Sequence, residues 1–356
     1  MSVPRASSSA WVILIPIVLS VALAACGSGS PASPSLAGTL PPHSIVPRES
    51  TRPSTPLAAG LDFAWPDGDR PTVSRALAGT DEAYINPGAV IDHEGELHMF
   101  ANVFTAWPGR VEVPHLVSTD GETWTLVAAE PAFTSDDVPF AEPGADVSTG
   151  FVAEDGTWVL LFETVNQSGP WAIGVATAPG PDGPWTIAPE PVLEAGAAGS
   201  FDAAGLPWPS VVASEDGYAL YYTASPTGNR DGAIARAVSN DGLAWTKSEA
   251  PVLRAAADWE RGGLDRPRVA RTADGYVMLY SGVDLTDRGV AVSSDGVTWE
   301  RVGDAPAITV LDFPVSGRAW DAALVHRDGR LTYYLEIGTA RANVGTDIYR
   351  ATADLP

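Results

Sequence analysis

The stretch Leu264-Asp265-Arg266-Pro267-Arg268-Val269, followed by Asp274-Gly275-Tyr276-Val277-Met278-Leu279-Tyr280, decides the reading of this chain. An acidic residue precedes a short apolar run. A turn at Asp274-Gly275 follows, then a second run rich in aromatic and aliphatic residues. Two such runs joined by an Asp-Gly turn predict a β-hairpin with a carboxylate at its entrance.

The pattern is written five times. It recurs at Ile85-Asn86-Pro87-Gly88-Ala89-Val90, at Ala145-Asp146-Val147, at Pro207-Trp208-Pro209-Ser210 and at Trp320-Asp321-Ala322, each followed by a turn and an aromatic-rich run. The turn glycines are Gly95, Gly156, Gly217, Gly275 and Gly329, spaced by 61, 61, 58 and 54 residues. A second signature runs in phase. Ser118-Thr119-Asp120-Gly121-Glu122-Thr123-Trp124 recurs as Asp182-Gly183-Pro184-Trp185, as Ser239 to Trp245 and as Ser293 to Trp299. Each repeat therefore holds about four short strands, which is the unit of a propeller blade. No stretch shows a helical period. The expected fold is all-β, a five-bladed β-propeller with four-stranded antiparallel blades. The fifth repeat lacks the Asp-Gly-x-x-Trp strand, so residues 61–65 or 72–76 are predicted to close the ring and cover its open edge.

Upstream of the repeats, residues 1–25 read as a targeting segment, with Arg5 before an apolar run that ends at Leu23-Ala24-Ala25-Cys26. This end resembles the bacterial lipobox, which implies lipidation of Cys26, the only cysteine of the chain. With Cys26 so used, cysteine catalysis, disulfides and cysteine–zinc sites are excluded. Residues 26–59, rich in Gly, Ser and Pro, read as a flexible tether, and 60–356 as the propeller domain. The expected location is extracytoplasmic, anchored by lipid to the bacterial cell membrane, and the expected state a monomer. A net charge of −23 argues against nucleic acid and polyanionic partners.

In a propeller the first strand of each blade lines the channel, and the second runs antiparallel and ends at the face where the first begins. This topology predicts a funnel. Strand entrances contribute Asn86, Asp146, Asp265 and Asp321, with Arg266, Arg268, Trp208 and Trp320 beside them. Second-strand ends add Glu163 and Glu336. Asp202 is a further candidate on the loop before the third repeat. Close carboxylates raise one another's pKa, as a general acid beside an ionised partner requires. Tryptophans suit stacking on sugar rings. The Asp265–Asp321 pair is the expected acid and base, with Asp146 orienting substrate or tuning the acid. Asp capping of a turn is the bland alternative for each of these residues. His93, His98, His115 and His326 show no metal-ligand spacing. No metal and no cofactor are expected, a structural calcium ion in the channel being left open.

At these residues the chain resembles the five-bladed propeller glycoside hydrolases of families 43, 32 and 130. The residues around Phe201-Asp202, Pro209 to Val212 and Tyr221-Tyr222-Thr223 resemble their repeating blade. Ile85-Asn86-Pro87-Gly88-Ala89 resembles the opening of family 130, and Leu264-Asp265-Arg266-Pro267 an element of family 32. The resemblance implies a glycoside hydrolase acting on oligo- or polysaccharide at the cell surface, with neutral glycans favoured by the acidic charge. Those hydrolases carry Asp, Asp and Glu on their first three blades. Here Asn86 stands at the first entrance, Asp146 at the second, and no Glu at the third. A non-catalytic glycan-binding lipoprotein is therefore a competing reading, beside a sialidase-like enzyme, suggested by the Ser-x-Asp-Gly-x-Thr-Trp turns, and a purely structural propeller.

Overall fold

The computed structural model describes residues 61–356, apart from 81–82, 167–168, 229–230, 316 and 340–344. The leader, Cys26 and the tether lie outside the described residues. Five antiparallel sheets follow one another along the chain. Blade 1 holds β1 (Tyr84–His93), β2 (Glu96–Phe104), β3 (His115–Ser118) and β4 (Thr125–Leu126). Blade 2 holds β5 (Pro143–Val152), β6 (Trp158–Asn166), β7 (Ile173–Ala178) and β8 (Thr186–Ile187). Blade 3 holds β9 (Ser210–Ser214), β10 (Gly217–Ala224), β11 (Ala233–Ser239) and β12 (Thr246–Lys247). Blade 4 holds β13 (Leu264–Thr272), β14 (Gly275–Gly282), β15 (Arg288–Ser293) and β16 (Glu300–Arg301). Blade 5 has β17 (Gly317–Arg327), β18 (Arg330–Thr339) and β19 (Thr346–Asp354). The first strands touch in the order β1, β5, β9, β13, β17, and β17 returns to β1, which makes the arrangement a ring.

The N-terminal segment closes the ring through both predicted stretches. Ala64 pairs antiparallel with Thr352 and Val73 with Ile348, so both lie along the free edge of β19. Arg350 pairs with Asp67 at 2.7 Å, and Leu61 packs into the core between blades 4 and 5. A strand edge that would otherwise template another chain is thereby covered.

Successive residues of a strand face opposite sides, and this explains the paired aromatics. Tyr221 enters the core shared with blade 4, and Tyr222 the one shared with blade 2. Tyr333 and Tyr334 divide in the same way between blades 4 and 1. The apolar core is thus five wedges between blades. Two of the Asp-Gly-x-x-Trp turns lock their wedges at the rim. Tyr221 Oη donates to Gly296 O at 2.6 Å and Tyr334 Oη to Gly121 O at 2.8 Å, each across a blade boundary. Trp299 and Trp124 meet the same tyrosines edge-on. Gly121 has φ +73°, and a Cβ there would lie 2.8 Å from the Tyr334 hydroxyl, so glycine is required.

One irregularity recurs at the channel. Pairing of first and second strands slips between Asn86 and Ala89, Val147 and Thr149, Asp265 and Arg268, and Ala319 and Ala322. These are β-bulges, which bend a strand and re-aim its side chains. Blade 3 turns instead on Trp208, a left-handed residue with φ 56° just before β9.

Candidate active site

The bulges point the entrance residues at two adjoining cavities. The inner lobe, about 220 Å³, is lined by Tyr84, Asn86, Phe104, Trp107, Asp146, Trp208, Arg266, Trp320, Asp321 and Glu336. The outer lobe, about 460 Å³, shares Trp107, Trp208 and Arg266 and continues over Trp171, Thr223, Ser225, Asp265, Val283 and Leu285.

The inner lobe gathers buried carboxylates. Asp146 is cross-strand partner to Glu163, and Asn86 Nδ2 donates to both Asp146 oxygens at 3.3 and 3.4 Å. Asn102 holds Asn86 in that pose, donating to its Oδ1 at 2.6 Å. Glu163 lies behind the wall, where its Oε2 accepts from Ser148 Oγ at 3.0 Å and from the Trp208 backbone N–H. Its Oε1 is buried without a hydrogen-bond partner. Asp321 Oδ1 pairs with Arg268, while its backbone N–H donates to Glu336 Oε2 at 3.2 Å.

Burial out of water is the first cause that moves these acids, because it penalises the charged form. It pushes Glu336 up to about 8, with the nearby Asp321 charge adding to it. Glu163 also rises to about 8 by burial and Asp321, against the pull of the Trp208 N–H and Arg268. Asp146 is raised well above the usual carboxylate range by burial, then by Glu163, Asp321 and Glu336. At neutral pH the cluster therefore retains protons.

The arginines divide the work. Arg268 is buried inside the ring. It donates from Nη1 to Trp208 O at 3.2 Å and Pro267 O at 2.9 Å, from Nε to Ala322 O, and from Nη2 to Asp321. It ties blades 3, 4 and 5 together. Arg266, with φ 50°, stands between the lobes. Its guanidinium lies 3.8 Å over the Trp208 ring and pairs with Asp265 at 3.0 Å. Asp265 also accepts from Thr223 Oγ1 at 3.0 Å, and burial raises its pKa although Arg266 and Thr223 oppose the shift.

Of the residues singled out from the sequence, Asn86, Asp146, Trp208, Arg266, Trp320, Asp321 and Glu336 meet around the inner lobe. Glu163 and Arg268 stand directly behind it. Asp265 and Asp321 do not share a lobe, since Asp265 lines the outer one. Asp202 lines neither, being buried in a pair with Lys247 at 2.6 Å and accepting from Ser200 Oγ at 2.7 Å. Tyr84, Phe104, Trp107 and Trp171 were missed. Trp107 and Trp171 lie outside the strands, where no repeat marks them, although their clustering with Trp208 had a faint signal in the richness of Trp. Away from the funnel, His98 and His115 are buried and bonded to each other at 3.0 Å. Among the described residues no three His, Cys, Asp or Glu side chains converge as metal ligands.

No protein-family model matches the chain. The uncharacterised protein Rv1502 of Mycobacterium tuberculosis is 28% identical over 235 residues, which span 58% of this chain and 75% of that one. Similar solved structures are propeller glycoside hydrolases. Zg3597, a family 117 enzyme of Zobellia galactanivorans, superposes with a TM-score of 0.60 at 16% identity over 83% of this chain and 91% of its own. A family 43 enzyme of Xanthomonas citri, solved with xylotriose, gives 0.57 at 18% identity over 85% and 92%. At such identities the likeness is one of fold: the chain has the five-bladed propeller of the glycoside hydrolases.

Proposed function

We propose that the protein is a glycoside hydrolase acting on neutral glycans, with one sugar ring in the inner lobe. The observation that carries this reading is the convergence of Asp146, Asp321 and Glu336 on a small cavity walled by Tyr84, Phe104, Trp208 and Trp320. Aromatic faces suit the apolar faces of a sugar ring. A protonated carboxyl beside a carboxylate is what acid–base cleavage of a glycosidic bond needs. Glu336 serves as the acid and gives its proton to the leaving oxygen. Asp321, paired with Arg268, stabilises the positive charge that develops on the ring or activates water. Asp146, oriented by Asn86, tunes the acid.

The test is turnover of aryl glycosides and oligosaccharides by the purified full chain. Asp321→Asn and Glu336→Gln should each lower kcat/KM by about a hundredfold. Wild-type rates in both would overturn the assignment. A second reading, glycan binding without cleavage, draws support from Asn86, an amide where the resembling hydrolases carry an acid. A thermal shift with saccharide and no turnover would favour it. We also propose that Cys26 is lipidated and holds the protein at the outer face of the membrane. Cys26→Ser should then release it from the membrane fraction, and unchanged retention would refute the anchor.

A further inference from the structure

His98 on β2 and His115 on β3 lie away from the funnel, in the wedge between blades 1 and 2, and both are buried. Where blade 1 holds His98, four residues before Asn102, blades 2, 3 and 4 hold Val159, Ala219 and Val277, which carry no proton. His98 Nδ1 lies 3.0 Å from His115 Nε2. The ring centroids are 5.3 Å apart and the planes differ by 19°, the geometry of a straight N–H···N bond between nearly coplanar imidazoles.

A neutral imidazole has one donor and one acceptor, and the cation has two donors. The bond between the rings needs a lone pair on one of the two facing nitrogens. The pair can take one extra proton on an outer nitrogen and keep that bond. A second would set N–H against N–H and two like charges side by side. The outer nitrogens face carboxylates: His98 Nε2 is 3.7 Å from Glu96 Oε2, and His115 Nδ1 is 3.5 Å from Asp182 Oδ1 of blade 2. Asp92 and His93 of β1 also act on His98, and Asp92 is itself held by Arg327 of blade 5 at 3.6 Å. The side chains of Glu96 and Asp182 are 44% and 75% exposed, so water screens their pull and burial prevails. Burial lowers the pKa of His98 although Glu96, Asp182 and Asp92 oppose it, and His93 adds to the fall. Burial pushes His115 down to about 4, helped by His98 and opposed by Asp182.

The rings also belong to the packing that joins the blades. His115 stacks on Phe100 at 4.5 Å, Phe100 meets Trp185 edge-on at 5.2 Å, and His98 meets Trp158 edge-on at 4.7 Å. Further along β2, Asn102 accepts from the Val147 N–H at 2.9 Å and donates to Val147 O at 2.8 Å, beside Asp146. One strand thus carries the histidine pair and the residue that sets Asn86 against Asp146.

We infer that the His98–His115 pair is an acid-sensitive latch: its second extra proton breaks the bond between the rings and loosens blade 1 from blade 2, together with the Asn102–Val147 contact behind the inner lobe. This regulation goes beyond the glycan reading and holds whatever the funnel binds. An unfolded imidazole titrates near 6.5 and the folded pair below it, so the unfolded state binds more protons between those values. The latch contributes fully above pH 6.5, weakens as pH falls towards 4 and has no further loss below.

The test uses the full chain. In an NMR titration of the five imidazoles of the wild type, two should titrate together and well below 6.5. His115→Gln keeps a hydrogen-bonding group that does not titrate. From pH 7 to pH 4 the unfolding equilibrium constant of the wild type should rise by about tenfold or more relative to this variant. Amide exchange in the wild type, corrected for the intrinsic rate, should show Val147 losing protection at pH 4. Val269, whose N–H donates to Ser210 Oγ between blades 4 and 3 at 3.0 Å, should keep it. Five imidazoles titrating near 6.5, parallel stability curves, or equal loss of protection at both boundaries would each overturn the latch. The titration and the exchange need only the wild type, so they decide the matter even if the variant does not fold.

Discussion

Two sets of acids recur in register along this chain, and their surroundings drive them in opposite directions. At the rim, Asp120, Asp241 and Asp295 close the Asp-Gly-x-x-Trp turns. Each Oδ1 accepts the backbone N–H groups two and three residues on, at 2.7–2.9 Å. For Asp120 and Asp241 those donors are the largest influence and lower the pKa below the ordinary 3.8. Burial is the largest single influence on Asp295 and raises it, but its backbone donors and the Ser293 and Thr298 side chains together bring it below the ordinary value. In the funnel, Asp146, Glu163 and Glu336 meet few donors and much burial, and their pKa values rise. The lesson is that a repeated carboxylate has no chemical meaning by itself. Backbone donors make it a staple, and burial among its own kind makes it a proton store.

The contrast can be broken most forcefully at Asp321. Arg268 is 2% exposed and Asp321 is its ion-pair partner. Removing one partner of a buried pair typically costs about 3–5 kcal/mol. Asp321→Asn should therefore lower unfolding free energy by an amount in that range, read from urea midpoints. A loss under ~1 kcal/mol would show that the funnel pair is no more integral than a surface one.

A smaller effect, of opposite sign, is expected at Glu336. Its folded pKa is raised from 4.5 to about 8, so the folded state binds the extra proton. Its contribution to stability is intact below the unfolded value and declines as pH rises towards 8. Glu336→Gln should be more stable than wild type at pH 9 by about 1 kcal/mol or more, with the gain gone by pH 4.5. The rim acids run the other way, losing their contribution as pH falls below 3.8. Parallel pH curves for wild type and variant would refute the proton store.

The smallest effect belongs to the rim. Asp295→Ala frees two exposed backbone N–H groups that water can satisfy, and should cost about 1 kcal/mol or less. Turnover and sugar affinity should not move. A change in either would mean that the turns serve the site as well as the fold.

Much of this was legible in the order of residues. The Asp-Gly turns at near-regular spacing announce blades, and an acid ahead of a strand announces a channel residue. The edge-covering role of residues 61–65 or 72–76 followed from the strand missing in the fifth repeat, and both stretches take it. What stayed hidden were contacts between residues that no repeat relates. Lys247 neutralises Asp202 across 45 positions, and Arg268 reaches Asp321 across 53. Trp107 and Trp171 meet only because loops of successive blades converge.

The sequence by itself determined the blade, its alternating apolar faces, the turn chemistry and the count of five, because these depend on neighbours a few residues apart. Only the tertiary structure decided which acids share a cavity and which arginine each one meets. Closing the ring brings residues some sixty positions apart into contact and excludes water from them, and burial in a shared cavity, not residue type, sets where their protons reside.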